Sequence, residues 1–254
     1  MIVRVGVSRS LRRLRGVCES IKAPMMLSAG SLIDYRHGGL KVPNCLIGAD
    51  VALDSAGFVA MKVHGGTYPW SCAQYLDVVE KLKPTWYASR DYCVEPELID
   101  SPLERARRIE RTVSEYLKLC GLAENRGLSM PIPVLQGWYA EEYLKCAELM
   151  GIRKGLVGVG SVCRRNLRGK DGLGSILDAL TNLGLRLHLF GVKGAALKSI
   201  RSDMFWSKCV VSTDSHAWDF SARKKGIRTL DGRITHLKQW YSKITNYKME
   251  GECF

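Results

Sequence analysis

The amino-acid sequence predicts an α/β protein that folds as a TIM-like (β/α)₈ barrel, and three observations predict it. The chain has 254 residues, a length that suits one barrel domain. Short apolar runs recur along it, with helical or loop segments between them. The runs are continuously apolar, which is typical of parallel strands buried on both faces. We therefore expect one domain over residues 1–254, with basic extensions at 1–22 and 227–254 packed on the barrel.

Eight apolar runs are the candidate strands. In chain order they are PMMLSAG (24–30), NCLIGAD (44–50), VALDSAG (51–57), TWYASRD (85–91), PIPVLQG (131–137), GLVGVGS (155–161), RLHLFGV (186–192) and CVVSTDS (209–215). The count depends on residues 44–57, which are also compatible with one bent strand or a hairpin.

Amphipathic segments between these runs are the candidate helices. In AEEYLKCAELMG, Tyr143, Leu144 and Ala147 form an apolar stripe, and GSILDALTNLG has the same character. Gly151 and Gly184 stand where helix ends are expected. No apolar stretch approaches the roughly 20 residues needed to cross a bilayer, so we expect no membrane association. The Arg-rich opening resembles a transit peptide in composition, but we favour an uncleaved N-terminus.

The nine cysteines are scattered singly, without a CxxC pair. This spacing argues against a zinc ribbon or a disulfide framework, and it favours reduced thiols in an intracellular protein. We therefore expect no metal and no cofactor. A metal site that joins His216 to His64 or His188 is the alternative, although no HxH motif supports it.

The net charge of +13 and the pI near 9.4 predict a polyanionic partner. Two segments carry the excess. Residues 153–170 hold six basic and no acidic residues, and residues 223–248 hold eight basic residues against one acid. By contrast, ERARRIERTVSEY mixes both signs, as a solvated helix does. The candidate phosphate contacts are Arg164, Arg165, Arg168, Lys170, Arg223, Lys224 and Lys225.

Polar residues stand at or just beyond the carboxyl ends of five predicted strands. They are Asp54, Asp91, Gln136, Gly160 and Asp214. Helix caps account for part of this pattern. In a (β/α)₈ barrel, however, active sites are built at the carboxyl ends of the strands. Three carboxylates and an amide at that rim therefore predict a catalytic site.

An ordered set of motifs resembles the guanine transglycosylases, which exchange guanine for a 7-deazaguanine in nucleic acid. LDSAGF (53–58) is similar to that family's Asp-Ser-Gly-Gly-Phe motif, and WYASRDYC (86–93) to its base-binding strand. VLQGW (134–138) and GLVGVGSV (155–162) resemble its Val-Gln-Gly and glycine-rich strands. LHLFGV and DMFWSKCVVSTDS resemble its last two strands. Order and spacing agree over about residues 24–226.

The resemblance implies a role for each matching position. Asp214 would be the nucleophile that forms a covalent glycosyl-enzyme, and Asp54 the acid/base. Asp91 and Gln136 would bind the guanine edge, and backbone amides near Gly158 and Gly160 would reach the base carbonyl. Substrate contacts are also assigned to Ser55, Phe58 and Tyr92. Phe58, Tyr92 and Met204 are the candidates for stacking on the base, and core packing is the alternative use of each.

Departures from the family pattern affect the choice of nucleic acid. The nucleophile strand reads TDSHAWDFSAR where bacterial transfer RNA enzymes have Asp-Cys-Val-Met-Pro-Thr-Arg, so Asp219 is a second candidate nucleophile. The family's zinc site and RNA-binding domain have no counterpart, which favours DNA over transfer RNA. The expected partners are nucleic acid and a free 7-deazaguanine base, and self-assembly or a partner subunit is left open.

Three alternative functions stay open from the sequence. The first is a tRNA-guanine transglycosylase. The second is a barrel glycoside or nucleoside hydrolase, which would not need the guanine-binding pair Asp91 and Gln136. The third is an inert nucleic-acid-binding paralogue, which would have no reason to keep both Asp54 and Asp214.

Overall fold

A computed structural model describes residues 1–97, 101–192 and 194–245, and the fold it describes is a parallel α/β architecture. Seven strands form one sheet: β1 (Ile2–Val7), β2 (Met25–Ser28), β3 (Val51–Asp54), β4 (Val134–Leu135), β5 (Leu156–Val159), β6 (Arg186–Leu189) and β7 (Val210–Ser215). The sheet order is β3-β2-β1-β7-β6-β5-β4, and every pair is parallel. All seven carboxyl ends therefore lie at one end of the sheet.

The segment 85–89 is hydrogen-bonded to both edges of this sheet. On the β3 side, Leu53 N–H donates to Trp86 O (3.0 Å) and Ala88 N–H to Leu53 O (2.8 Å). On the β4 side, Ser89 N–H donates to Ile132 O (2.9 Å) and Ile132 N–H to Tyr87 O (2.9 Å). The sheet is thus curled, and the predicted strand at 85–91 contributes only isolated bridges.

Within the described ranges, ten α-helices accompany the strands. They are α1 (Leu11–Ser20), α2 (Gly57–Val63), α3 (Cys72–Leu82), α4 (Pro102–Asn125), α5 (Ala140–Leu149), α6 (Leu173–Thr181), α7 (Ala195–Ser202), α8 (Trp206–Cys209), α9 (Ala217–Lys224) and α10 (Leu230–Thr245). Local chemistry starts two of them: Ser71 and Gln74 form a capping box at α3, and Ser101 caps α4 ahead of Pro102. No helix in the described part of the chain is long and apolar enough to cross a membrane.

The main core lies between the sheet and the helices. Val3, Val5 and Val7 of β1 are fully covered, as are the leucines at the centres of β2, β3 and β6. A smaller apolar cluster of Trp86, Ala88, Ile132, Val134, Leu156 and Phe190 packs inside the curl of the sheet. The outward and inward faces of the strands are therefore both buried, which explains the continuous apolar runs.

Two predictions about the elements are wrong. Residues 44–50 are not a strand; Asn44–Leu46 is a short 3₁₀ helix before β3. Part of the supposed extension at 1–22 lies inside the sheet, because β1 pairs with β2 and β7. Its Arg4 side chain is only 4% exposed and donates to Met25 O and Asp50 Oδ1. In the other extension, α10 occupies 230–245, and residues 246–254 lie outside the described residues.

Candidate active site

A cavity of about 710 Å³ opens at the carboxyl end of the sheet. Eight of the residues predicted for the site line it: Asp54, Phe58, Asp91, Gln136, Gly160, Arg164, Asp214 and Arg223. They come from distant parts of the sequence and meet because parallel strands end together. The predicted rim is therefore one continuous cavity.

The turn after β3 brings the Asp54 and Asp91 segments together. Asp54 ends β3, Ala56 has a left-handed backbone (φ 68°), and α2 begins at Gly57. The Ala56 N–H donates to Asp54 Oδ2 at 3.2 Å. A Cβ on Gly57 would lie 2.6 Å from Asp91 Oδ1 and 2.7 Å from Asp91 O. The small residues of LDSAGF therefore make room for Asp91.

The cavity raises the pKa of Asp54 to about 7. Burial is the largest cause, followed by the negative charges of Asp91 and Asp214; hydrogen bonds from Ser28 and Ala56 oppose the shift. The three carboxyl groups are therefore close enough to repel one another. A carboxyl with a pKa near neutrality can both give and take a proton at physiological pH.

Asp91 lies in a buried hydrogen-bond network. Ser55 Oγ donates to its Oδ1 at 2.6 Å, and Gln136 Nε2 donates to its Oδ2 at 2.5 Å. Ser161 Oγ in turn donates to Gln136 Oε1 at 2.7 Å. Burial raises the pKa of Asp91 and these bonds oppose the rise. The network fixes the orientation of the carboxyl group beside the cavity.

Gly158 and Gly160 shape the site because they lack side chains. A Cβ on Gly160 would lie 2.2 Å from Gln136 Nε2, and one on Gly158 would lie 2.6 Å from the Phe190 ring. The Gly160 N–H donates to Leu135 O at 3.0 Å, and the Gly158 N–H donates to Pro133 O at 2.8 Å. Because the sheet already uses these amides, the expected contact with a base carbonyl is not supported.

Asp214 lies on β7 with one oxygen held and the other open. Gly191 N–H donates to Oδ1 at 2.9 Å, while Oδ2 has no hydrogen bond to any described residue. Asp219 does not line the cavity; it pairs with Arg223 at 3.0 Å and Arg233 at 2.9 Å. Of the two candidate nucleophiles, Asp214 is the one at the cavity.

Two histidines lie beside Asp214, and burial lowers the pKa of both. His188 is fully buried, contacts Ser212 Oγ through Nδ1 at 2.8 Å, and has Nε2 at 3.4 Å from Asp214 Oδ1. The His216 ring packs over Gly6, where a Cβ would lie 2.3 Å from it. In the described residues, no three His, Cys, Asp or Glu side chains are grouped to hold a metal.

The side chains predicted to stack on the base lie in different places. Phe58 lines the cavity together with Phe190, which the sequence analysis did not single out. Tyr92 is buried outside it, beneath the Arg111 guanidinium at 4.2 Å, and Met204 is exposed elsewhere. Ser55 does not line the cavity either; it acts on Asp91.

Glu95 lines the cavity although it is not among the residues predicted for the site. It is 9% exposed, lines the cavity, and its Oε2 has no hydrogen-bond partner in the described part of the chain. Burial raises its pKa, assisted by the charges of Asp91 and Glu97. Glu95 follows Asp91 by four residues, just beyond the same strand segment, and this position is the sequence feature that could have indicated a place at the cavity.

The predicted basic residues divide into two groups. Arg164 is exposed at the cavity and pairs with Glu97 at 2.7 Å. Exposed side chains also belong to Arg168, Lys170, Arg223, Lys224 and Lys225. Arg165 is structural: it donates to the carbonyls of Ser161, Gly137, Asp171 and Trp138 and stacks on the Trp138 ring at 3.8 Å. Its guanidinium is therefore not available to a phosphate.

Comparisons with known proteins identify the family. None of the curated proteins matches the chain. Among solved structures, the YdjI aldolase of Escherichia coli K12 shares 11% identity at a TM-score of 0.48, covering 99% of this chain and 93% of that one. The fructose-bisphosphate aldolase (Fba) of Campylobacter jejuni shares 12% identity at a TM-score of 0.48, covering 99% and 78%. At this level of similarity the aldolases say nothing about the chemistry of this chain.

Residues 16–236 match the family model described as "DpdA: DeoxyPurine in DNA protein A". The match extends from α1 into α10 and includes every residue that lines the cavity. The chain therefore belongs to the DpdA family, a family of DNA 7-deazaguanine transglycosylases related to the tRNA-guanine transglycosylases.

Proposed function

We propose that this protein exchanges guanine in DNA for a free 7-deazaguanine base, through a covalent bond between Asp214 and the deoxyribose. The supporting observation is the shared cavity in which Asp54, Asp91 and Asp214 influence one another electrostatically. We also propose that the segment 85–89 completes a closed barrel around this cavity, since it is hydrogen-bonded to both sheet edges. The barrel would hold the acidic groups in fixed positions.

In the first half-reaction, Asp214 Oδ2 attacks C1′ of the target nucleotide. The C1′–O bond forms as the C1′–N9 bond to guanine breaks, and the departing base takes the proton of Asp54. The open Oδ2 supports the nucleophilic role, and the pKa of Asp54 near 7 supports proton donation at neutral pH. The products are free guanine, a glycosyl ester on Asp214 and an ionised Asp54.

In the second half-reaction, N9 of the 7-deazaguanine attacks C1′ from the face that guanine left. The new C1′–N9 bond forms, the ester bond breaks, and the N9 proton passes to the Asp54 carboxylate. Two displacements at one carbon retain its configuration, as in retaining glycosidases. The enzyme returns to its starting protonation state, so the cycle needs no external acid, base or cofactor.

The walls of the cavity support recognition of a guanine-like base. Such a base presents an N–H and an amine on one edge, and acceptors for them are available on Asp91 and on the unpartnered Oε2 of Glu95. Phe58 and Phe190 offer apolar faces for the ring. An extruded base with adjacent donors therefore fits this cavity better than a sugar alone, which argues against a simple hydrolase.

The test is label exchange with three polymers. Radiolabelled guanine is incubated with the enzyme and, separately, duplex DNA, single-stranded DNA and transfer RNA. We expect label in DNA, and a denaturant-stable enzyme–DNA adduct when the incoming base is withheld. Asp214→Asn should abolish both signals, whereas the control Asp219→Asn should keep them. Label in transfer RNA alone, or normal exchange by Asp214→Asn, would overturn the proposal.

A further inference from the structure

A second cavity, of about 360 Å³, lies between the loop after α2 and the helix α4. Gly65 and Gly66 form one wall, and Arg107, Arg108 and Arg111 form the other. The buried Tyr92 lies beneath, with the Arg111 guanidinium 4.2 Å from its ring. The cavity therefore presents three guanidinium groups from successive turns of one helix.

Three arginines and one carboxylate, that of Glu104, line this cavity, so its lining carries a net positive charge. Arg108 pairs with Glu104 at 3.2 Å and donates to Cys93 O at 2.8 Å. Arg111 has only a backbone contact, to Gly66 O at 3.3 Å, besides the Tyr92 ring. Arg107 is exposed and has no ion pair or hydrogen bond within the described ranges. Glu104 is thus taken up by Arg108, and Arg107 and Arg111 face the cavity without a carboxylate partner in the described residues.

The glycine wall adds a backbone donor. Gly65 has a φ of 61°, and space is open where a Cβ would stand. Its N–H donates to no acceptor in residues 1–97, 101–192 or 194–245. Uncapped backbone N–H groups beside arginines are the usual components of an anion-binding site.

This cavity adjoins the candidate active site. Phe58 lines the first cavity and Met61, one turn later on α2, lines the second. Likewise, Cys93 lines the first cavity and its chain neighbour Tyr92 lines the second. Also on α2, Lys62 places its Nζ 5.5 Å from the Phe58 ring, and the Arg164 guanidinium lies 5.8 Å from the same ring. Cations therefore continue from the active cavity across α2 to the arginines of α4.

We propose that this second cavity binds a backbone phosphate of the DNA strand whose base occupies the active cavity. The inference rests on the proposed function for the identity of the strand. The anion would sit between Arg107 and Arg111, with Gly65 N–H as a third donor. A base extruded into the first cavity leaves its flanking phosphates at the rim, and α2 is the part of the rim that joins the two cavities.

The test compares Arg107→Ala/Arg111→Ala with Arg153→Ala/Lys154→Ala. The control pair has the same charge change, is exposed, and precedes β5 at the opposite end of the sheet. Binding to a labelled oligodeoxynucleotide is measured against salt concentration. The α4 variant should reduce the slope of log K against log salt by about one to two units, and the control by less than half a unit. Arg107→Glu makes the same charge change of −2 at one exposed side chain that has no partner in the described residues, and it should weaken binding without affecting folding.

The outcomes separate this inference from the proposed function. Equal slopes for the two double variants would overturn the phosphate subsite, even if guanine exchange proceeds normally. A reduced slope in the α4 variant without any base exchange by the wild type would support the subsite and overturn the exchange reaction. For an active enzyme, we expect the α4 variant to raise KM for DNA several-fold with kcat unchanged, because the site positions the strand and touches no reacting atom.

Discussion

Asp54 should reduce the stability of the folded protein at neutral and alkaline pH, and Asp54→Asn should remove that effect. Its pKa is raised from 3.8 to about 7 by burial and by the charges of Asp91 and Asp214. The folded state therefore binds the proton more tightly than the unfolded state. Unfolding releases a proton between these two values, so stability falls as the pH rises from about 4 to about 7.

The size of the effect follows from the shift. Three pKa units correspond to about 4 kcal/mol, at about 1.4 kcal/mol per unit. Asp54 borders a solvent-accessible cavity and is not completely enclosed, so screening by water reduces the figure. We expect Asp54→Asn to raise the free energy of unfolding by about 2 to 4 kcal/mol at alkaline pH. Up to about 2 kcal/mol of this difference between variant and wild type should develop between about pH 5.5 and 8.5. The rest is already present at pH 5.5, because the wild type begins to lose stability near pH 4.

Urea denaturation at several pH values measures the gain. The free energies of unfolding of wild type and Asp54→Asn should diverge as the pH rises to about 7 and then run parallel. Glu80→Gln, which neutralises an exposed carboxyl on α3, is the matched control and should show no such divergence. Parallel curves for Asp54→Asn over the whole range would show that the cavity does not raise the Asp54 pKa, and the acid/base role would lose its basis.

Two further substitutions test how the site is built. Gly57→Ala should raise KM for the base and cost about 1 to 3 kcal/mol, because the new Cβ would lie 2.6 Å from Asp91 Oδ1. Gly121→Ala, on an exposed face of α4, should instead stabilise the protein by up to about 1 kcal/mol. If both variants shifted the melting temperature equally, a clash between the new Cβ at position 57 and Asp91 would be excluded. Arg165→Ala should cost about 2 to 4 kcal/mol in urea denaturation, because it strips four carbonyls of their partner. Arg164→Ala should change the free energy of unfolding by less than about 0.5 kcal/mol and should reduce the salt dependence of DNA binding. If Arg164→Ala destabilised the fold and Arg165→Ala did not, the structural role of Arg165 and the phosphate-binding role of Arg164 would be wrong.

The sequence predicts those parts of the fold that depend on local signals. Continuous apolar runs locate β2, β3, β4, β5, β6 and β7, because strands covered on both faces contain little else. The polar residues that end these runs share one cavity for the same reason: parallel strands finish together. Asp54, Asp91, Gln136 and Asp214 could therefore be predicted to meet without knowledge of any contact.

The parts that depend on distant partners could not be predicted. Arg4 made β1 resemble a basic leader, because its partner Asp50 lies 46 residues away. Arg164 and Arg165 are adjacent and alike in sequence, yet only Arg165 meets the carbonyls of residues 137, 138 and 171. The burial of Glu95 was not predicted, since it depends on the packing of the cavity walls. In each case the determining contact is absent from the local pattern.

The charges of the site are arranged in two layers, and in the proposed reaction this arrangement would favour a base carried on a phosphate backbone. The interior carries Asp54, Asp91, Glu95 and Asp214, which favour a neutral ring with N–H donors and repel a phosphate. The rim carries Arg164 and Arg223, whose exposed guanidinium groups would contact the backbone in the proposed reaction and leave the interior to the base. A free nucleotide carries one phosphate group that could reach the rim, whereas a base within a strand has a backbone phosphate on each side of its sugar. For the proposed exchange, the layers would favour a base that is still attached to its polymer, and they would leave the free 7-deazaguanine, which has no phosphate, able to enter after guanine departs.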